Sequence, residues 1–311
     1  MGLHLRARQR RRLRLDGRRQ PVKAFANYHP AVLLLYFLSV LLVGMFVTNP
    51  VLQLTMLLGA VLFCLMLPHR SGGAGFYVPM FLLVAVTNPL FSHNGVTPLF
   101  YLNGNPVTLE AFVYGAAIAV MVVGVMLWCA CYSAVMTSDK FLCLFGRVIP
   151  KLALVLSMAL RFIPMFKRQM HKVNRAQKAM GLYGSKSLVD KGRSALRVFL
   201  TMISWSLENA IDTAASMKAR GYGLPGRSRF ALFRFRAADA ALAAVSVLLL
   251  GLTLAGTAAG ATVFYYYPRI SALPLSPFSV AVYAAFGLLS FLPFVIEAKE
   301  ALVWKYYISK M

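Results

Sequence analysis

The sequence predicts an all-α polytopic membrane protein with about six transmembrane helices and a pair of long amphipathic helices on the cytoplasmic side. Hydrophobic residues make up 59% of the 311 residues, and the mean hydropathy of +0.67 is far above that of soluble domains. Apolar runs of roughly membrane-spanning length divide the chain. Basic residues concentrate in the polar segments between these runs. Together these observations indicate a chain that crosses the membrane several times.

Residues 1–23 form a predicted basic cytoplasmic arm. They contain nine lysines and arginines and a single acid, Asp16. The net charge of +24 makes nucleic acid a candidate partner. A basic tract beside a membrane span is better explained by anionic lipid, because each such residue gains about 1 kcal/mol near the inner leaflet. We therefore expect the arm to contact the lipid bilayer, and we expect no nucleic-acid partner.

The membrane domain is predicted in two parts, with spans 1–4 in residues 24–138, and spans 5–6 and a cytoplasmic tail in residues 238–311. The six apolar runs lie at residues 31–48, 51–67, about 76–91, 109–135, about 240–264 and about 278–297. A span needs ~20 residues, so the first two runs are near the lower limit and the third is marginal. The third run also contains Pro79 and Pro89, so a re-entrant segment is the alternative there.

The distribution of charge favours six crossings over a re-entrant third segment. With six crossings and the N-terminus inside, all of the 33 lysines and arginines except Arg269 face the cytoplasm, where basic residues are enriched. A re-entrant third segment would place residues 92–108, which contain no Lys or Arg, on the cytoplasmic side. We therefore expect both termini and residues 139–237 in the cytoplasm.

Residues 139–237 are predicted to contain two amphipathic helices, each with apolar residues at the i, i+3, i+4, i+7 spacing of one helix face. The first apolar stripe is Phe162, Met165, Phe166, Met170, Val173, Ala176 and Met180, and the second is Leu196, Phe199, Leu200, Ile203, Leu207, Ala210, Ile211 and Ala214. Such faces need burial, so we expect the stripes to pack against each other or against the membrane domain. The small residues Ala176, Ala210 and Ala214 would allow a close crossing of the two helices.

Both helices end in an Ala-x-Gly sequence. The first tip is Ala179-Met180-Gly181, and the second is Ala219-Arg220-Gly221. A glycine at this position can adopt the left-handed conformation that ends helices. Positive charge in the last turn is favoured by roughly 0.3–1 kcal/mol through the helix dipole. A capped surface helix would explain either tip alone, whereas two matching tips between blocks of membrane spans indicate a shared role.

Two basic amphipathic helices with matching tips resemble the paired coupling helices of the transmembrane T component of energy-coupling factor (ECF) transporters. The order of shorter motifs adds to this resemblance: His29-Pro30, Thr87-Asn88-Pro89-Leu90-Phe91, Leu160-Arg161-Phe162-Ile163-Pro164 and Ala219-Arg220-Gly221-Tyr222-Gly223. ECF transporters are ABC-type importers of vitamins and metals, and their T components include the CbiQ-like proteins of cobalt transporters. The resemblance extends from about residue 25 to residue 230.

The resemblance implies a non-catalytic coupling subunit in a bacterial or archaeal cell membrane. Its partners would be two ABC-type ATPase subunits and a membrane-embedded substrate-binding S component, and the imported substrate would be a vitamin or a metal ion. The ATPase-docking residues would be Ala179, Met180, Gly181, Ala219, Arg220 and Gly221. Met180 departs from the family pattern, which has arginine in both tips, so docking at the first tip would rest on apolar packing, Gln177 and Lys178.

No catalytic, metal or cofactor site is apparent in the sequence. The chain has only nine acids and five scattered histidines, and residues 181–187 lack the spacing of a phosphate-binding loop. We therefore expect neither enzymatic activity nor a bound cofactor. A self-contained secondary transporter or channel is the alternative function. Secondary transporters commonly place ionisable residues near the membrane midplane, and no predicted span centre here carries a charge.

Overall fold

The computed structural model describes residues 24–67, 74–92, 94–102, 105–146, 149–181, 188–224, 233 and 235–309. Within them, a 3-10 helix at Phe25–Asn27 is followed by nine α-helices and one hairpin: α1 (Pro30–Phe46), α2 (Pro50–Met66), α3 (Ala74–Phe91), β1 (Pro98–Leu102), β2 (Asn105–Thr108), α4 (Leu109–Val135), α5 (Ser138–Gly146), α6 (Pro150–Ala179), α7 (Leu188–Ala219), α8 (Ala237–Ala258) and α9 (Pro277–Ser309). The predicted basic arm, residues 1–23, lies outside the described residues.

The chain divides into two compact units. The first, here called the membrane unit, comprises the described residues up to Lys140 and from Phe233 onward. The second lies within Phe141–Leu232 and is here called the coupling unit, after the role that the sequence resemblance leads us to expect for its helices. The membrane unit holds α1 to α4, α8 and α9, and the coupling unit is built on α6 and α7.

Helices α1 and α2 begin in the same way. Pro30 and Pro50 occupy the first helical turn, where an amide hydrogen would have no helical partner. The side chains of His29 and Asn49 cap the helices by accepting a hydrogen bond from the backbone amide two residues later, at 3.2 Å and 3.0 Å. The resulting helix bounds agree with the first two apolar runs of the sequence.

The third apolar run forms one continuous helix, α3, with Pro79 and Pro89 inside it. Within the described residues, three helices are long and apolar enough to cross a membrane: α4, α8 and the Pro277–Trp304 part of α9. Helices α1, α2 and α3 are apolar but shorter. A 17-residue helix such as α1 measures about 25 Å, against ~30 Å of hydrocarbon. The all-α polytopic membrane architecture is confirmed, and the count of six crossings stays a prediction.

A short antiparallel hairpin that the sequence analysis did not predict connects α3 to α4. In this hairpin Leu102 of β1 lies opposite Asn105 of β2. Each strand contains a proline, Pro98 or Pro106. Because proline is typical of turns and rare inside strands, the sequence does not show a clear strand pattern here. Thr108 ends β2 and caps α4, because its side-chain oxygen accepts an amide hydrogen bond from the first helical turn at 3.3 Å.

An aromatic cluster forms the centre of the membrane unit. Trp128 of α4 is fully buried, and its Nε1 donates a hydrogen bond to the Met56 carbonyl oxygen of α2 at 3.1 Å. The ring centroid of Trp128 lies 6.0 Å from that of Tyr36 and 5.8 Å from that of Phe37, both on α1. The Tyr36 hydroxyl donates to the Leu289 carbonyl oxygen of α9 at 2.9 Å. The cluster therefore joins α1, α2, α4 and α9.

Helices α2 and α9 approach each other closely at Gly59. A Cβ atom added at Gly59 would lie 2.9 Å from the backbone oxygen of Ser290 and 3.0 Å from its Cβ. We expect Gly59→Ala to force the helices apart at a cost of about 1–3 kcal/mol and to lower the melting temperature of the detergent-purified protein. Gly287→Ala on α9 is the matched control, since no described atom lies within 4 Å of its added Cβ. Equal melting temperatures for the two variants would contradict the close approach.

Candidate functional site

The coupling unit is built on α6 and α7. Helix α6 begins at Pro150, whose fixed backbone angle suits the first helical position, and it continues through Pro164 to Ala179. In the sequence, the apolar stripe of this helix becomes clear only from Phe162, so the earlier start was not predicted. Pro150 is the local signal that could have located the earlier start.

Helices α6 and α7 contact each other through an aromatic pair. The Phe166 ring of α6 lies 5.3 Å from the Trp205 ring of α7, in an edge-to-face arrangement. Three further residues, Gln177, Ser194 and Val198, are buried, with exposed fractions of 5%, 2% and 6%. These three positions lie between the aromatic pair and the connection from α6 to α7.

The two helices run in opposite directions. Phe166 lies 13 residues before the end of α6, and Trp205 lies 17 residues after the start of α7, yet only eight residues connect the helices. A parallel pair in contact at these rings would separate the connected helix ends by about 45 Å, at 1.5 Å per residue. A connection of that length reaches only about 30 Å when fully extended. The pair is therefore an antiparallel hairpin.

The structure does not bring together the three alanines predicted at the helix crossing. Ala176 lies on the connection side of the Phe166–Trp205 contact, whereas Ala210 and Ala214 lie on the far side of it. All three alanines are exposed. The described contact between the helices is made by large aromatic side chains and not by these small residues.

The two predicted tips have the same backbone geometry. Gly181 has φ +74° and Gly221 has φ +78°, the left-handed conformation expected at helix ends. The amides of Met180 and Arg220 each donate to the carbonyl four residues earlier, at 3.1 Å and 3.2 Å. The amide of each tip glycine donates to the carbonyl three residues earlier, at 3.1 Å and 3.0 Å. Met180 and Arg220 therefore occupy equivalent positions at their helix ends.

Further hydrogen bonds stabilise the second tip. The Tyr222 amide donates to the Met217 carbonyl at 3.0 Å, which completes the bonding pattern of a Schellman motif. The Leu224 amide donates to the Gly221 carbonyl at 3.3 Å, and Gly223 also has a positive φ, +101°. All these bonds are local, so neighbouring residues hold the backbone that presents Arg220.

The side chains of both tips are accessible. Met180 is 65% exposed, and Ala179, Ala219 and Arg220 are also exposed. Among the residues that the structure describes, none forms a hydrogen bond or an ion pair with the Arg220 guanidinium. The first tip thus presents a thioether and the second presents a cation on the same backbone framework.

The tips lie at opposite ends of the helix pair, because each is the C-terminal end of one antiparallel helix. Helix α7 has 32 residues, which corresponds to a length of about 48 Å. That separation suits two partner surfaces better than one.

The chemistry available at the tips is that of binding. In the described part of the chain, no group of three or more His, Cys, Asp or Glu residues could hold a metal ion. An exposed arginine can form paired, charge-assisted hydrogen bonds with a carboxylate, and an exposed methionine can fill an apolar pocket.

The part of the sequence that contains these helices matches the model of a known protein family. Residues 23–232, which include α1 to α7 and both tips, match the CbiQ family, described as cobalt transport protein. The chain belongs to this family. CbiQ membership agrees with the long apolar helices of a membrane protein.

Three curated relatives of this CbiQ-family chain share one name, energy-coupling factor transporter transmembrane protein EcfT. The protein from Listeria innocua is 37% identical over 119 residues, which are 37% of this chain and 45% of the relative. Those from Lactobacillus helveticus and Brevibacillus brevis are 32% identical over 117 residues and 35% identical over 106 residues. These matches cover 37% and 33% of this chain, and 42% and 40% of the relatives. The chain thus spans less than half the length of the curated relatives that it matches.

Proposed function

We propose that this CbiQ-family protein is the transmembrane coupling subunit of an energy-coupling factor importer of a vitamin or metal ion. The observation that carries the proposal is the pair of equivalent, exposed helix ends at Met180 and Arg220, at opposite ends of one helix pair. Each end would dock into one of two ABC-type ATPase subunits, and a membrane-embedded S component would bind the substrate. In this role the chain itself catalyses no reaction.

Motion would pass from the ATPases to the membrane through α6 and α7. When the two ATPases close and open with ATP, they would move the two tips relative to each other. The Phe166–Trp205 contact joins the helices between the tips, so this displacement would change the angle between the helices. The change in angle would in turn tilt the S component and alternate its access to the two sides of the membrane.

The two tips would use different chemistry on their ATPases. The planar guanidinium of Arg220 suits a groove lined by carboxylates, because it can donate two parallel hydrogen bonds. Met180 carries no charge, so its groove would contribute apolar contact and shape. This difference would let the two docking sites differ in strength and in salt sensitivity.

An exposed apolar face on α7 supports a further partner in the membrane. This face was expected to be buried within the chain, but six of its residues are at least 44% exposed: Leu196, Phe199, Leu200, Ile203, Leu207 and Ile211. A continuous apolar face of this kind marks an interaction surface. We assign it to the S component, whose tilting would then follow α7 directly.

Co-purification tests the proposal. The full chain would be tagged at its C-terminus, purified in mild detergent from the membranes of its native host, and its bound proteins identified by mass spectrometry. We expect ATPase subunits with phosphate-binding loops and a small polytopic membrane protein. A folded, monodisperse preparation that carries no ATPase would overturn the proposed function.

The location that we propose is the cell membrane, with both termini in the cytoplasm. In a variant without the four native cysteines, we expect a cysteine at Arg175 to be protected from an impermeant maleimide in intact cells. A cysteine at Val96, which is 49% exposed between α3 and β1, should be labelled. Labelling at Arg175 in unbroken cells would reverse the proposed orientation.

A further inference from the structure

A short segment before α1 contacts three distant parts of the membrane unit. This segment, Ala24 to His29, is here named the N-terminal clasp and includes the 3-10 helix Phe25–Asn27. Charged side chains from α5, α8 and α9 each bind one of its backbone groups. These side chains are Lys140, Asp239 and Glu297.

Lys140 fastens the clasp to the start of α5. Its Nζ donates hydrogen bonds to the carbonyl oxygen of Ala26 at 2.5 Å and to that of Val135 at 2.9 Å. Lys140 is only 7% exposed, and this burial lowers the pKa of its ammonium group. Val135 is the last residue of α4, where carbonyl groups lack helical partners. One lysine therefore connects the end of α4, the start of α5 and the clasp.

Asp239 fastens the clasp to the start of α8. Its Oδ1 accepts a hydrogen bond from the His29 amide at 2.8 Å, and its Oδ2 accepts one from the Arg236 amide at 2.8 Å. Asp239 is 4% exposed, and the Phe235 ring lies 5.5 Å from the His29 imidazole. Hydrogen bonds to a charged acceptor are stronger than neutral ones, so both oxygens of this carboxylate hold the junction.

Helix α9 and the aromatic cluster anchor the clasp itself. Glu297 Oε2 accepts a hydrogen bond from the Phe25 amide at 3.2 Å. The Phe25 side chain is fully buried, with its ring 5.3 Å from Tyr36 and 5.6 Å from Phe63. The clasp is thus a packed part of the membrane unit.

Lys140 immediately precedes the coupling unit, and Asp239 lies seven residues after its end at Leu232, so the two junctions that they fasten flank the segment of chain that forms this unit. We infer that the N-terminal clasp holds these junctions at a fixed separation, so that motion of α6 and α7 reaches the membrane unit and is not absorbed at the connections. Lys140, Asp239 and Glu297 act here as positioning residues. The inference rests on the proposed coupling function.

A distance measurement in the full chain tests the clasp directly. Spin labels would be placed at Thr137 and Ala241, which are exposed beside the two junctions, in a variant without native cysteines. Double electron–electron resonance should give one narrow distance for the otherwise unchanged protein. We expect the double variant Lys140→Met/Asp239→Asn to lose this single narrow distance, because Met has no donor for the Ala26 carbonyl and Asn replaces one of the two accepting oxygens of Asp239 by an amide nitrogen, which can only donate.

A control double variant and a single clasp variant show whether a change in the distance comes from loss of the clasp contacts or from a general loss of folding. Lys151→Met/Asp212→Asn changes the same residue types at exposed positions of the coupling unit and should keep the narrow distance. If the clasp double variant does not accumulate in the membrane, Asp239→Asn alone gives the same test with a smaller change. An unchanged narrow distance in the clasp variants would overturn the inference.

A measurement in the complex links the clasp to coupling. In complexes that retain their ATPases, the nucleotide analogue AMP-PNP should shift the distance between labels at Glu208 and Val96. We expect the clasp variants to bind the ATPases as before but to lose this shift, whereas a purely structural role would leave the shift intact. If the wild-type chain binds no ATPase, the proposed function fails, while the Thr137–Ala241 distance still decides whether the clasp exists.

Discussion

Replacing Arg220 by alanine is expected to weaken strongly the binding of the ATPase that we propose at the second tip and to abolish coupled transport. The Arg220 backbone is held by local hydrogen bonds and its side chain is exposed, so the substitution removes a binding group and leaves the fold intact. Truncating one partner of a charge pair that is buried on binding costs about 2–5 kcal/mol, which is roughly 30-fold to several thousandfold in affinity. Titration of the purified ATPases against the chain in nanodiscs would measure this loss.

The matched substitution at the first tip should have a much smaller effect. Met180→Ala removes apolar contact only, at a cost of about 1 kcal/mol, and this cost should not change with salt. The Arg220 contact should weaken as salt rises. Arg197→Ala, at an exposed position of α7 that is 23 residues from Arg220, is the control for loss of one arginine and should leave binding at the second tip normal. Comparable losses from Arg220→Ala and Met180→Ala would show that charge does not distinguish the tips.

Met180→Arg tests whether the ATPase groove that we propose for the first tip contains carboxylates. Met180 has the same backbone position as Arg220, so Met180→Arg should place a guanidinium at the equivalent site of the second ATPase that we propose. If that groove has carboxylates, binding should be retained or strengthened. Weaker binding of the Met180→Arg protein would show that this groove is apolar, as the first tip is.

Replacing Trp128 by alanine is expected to have the second-largest effect, through the stability of the membrane unit. The side chain is fully buried among aromatic rings from α1 and α2, and its removal leaves a large cavity between helices. Truncations of buried aromatic residues cost about 3–5 kcal/mol. Fluorescence-detected size exclusion after heating should show a marked loss of folded protein.

Two other tryptophan substitutions serve as controls for this loss of stability. Trp128→Phe keeps most of the packing but loses the hydrogen bond to the Met56 carbonyl, so its stability should be intermediate. Trp304→Ala removes a tryptophan that is 51% exposed and should change stability little. A Trp128→Ala protein as stable as the Trp304→Ala protein would mean that the aromatic cluster does not hold the four helices together.

The sequence by itself determined where apolar helices such as α1 and α2 begin and the form of the ends of α6 and α7. Prolines and polar caps delimit the apolar runs, so helices such as α1 and α2 begin where local chemistry places them. The ends at Gly181 and Gly221 were predictable because a left-handed glycine depends on its own residue and its neighbours. The β1–β2 hairpin was missed because prolines in both strands weaken the strand pattern.

Only the tertiary structure decided which segments meet. A helical period identifies an apolar face but not the position along that face where another helix crosses, so it favoured Ala176, Ala210 and Ala214 over the Phe166–Trp205 contact. The clasp contacts join residues 114, 210 and 272 positions apart in the chain. In each of them a charged side chain binds a backbone group. Because every residue except proline carries the same backbone groups, no pattern of side chains marks the segment where such contacts form.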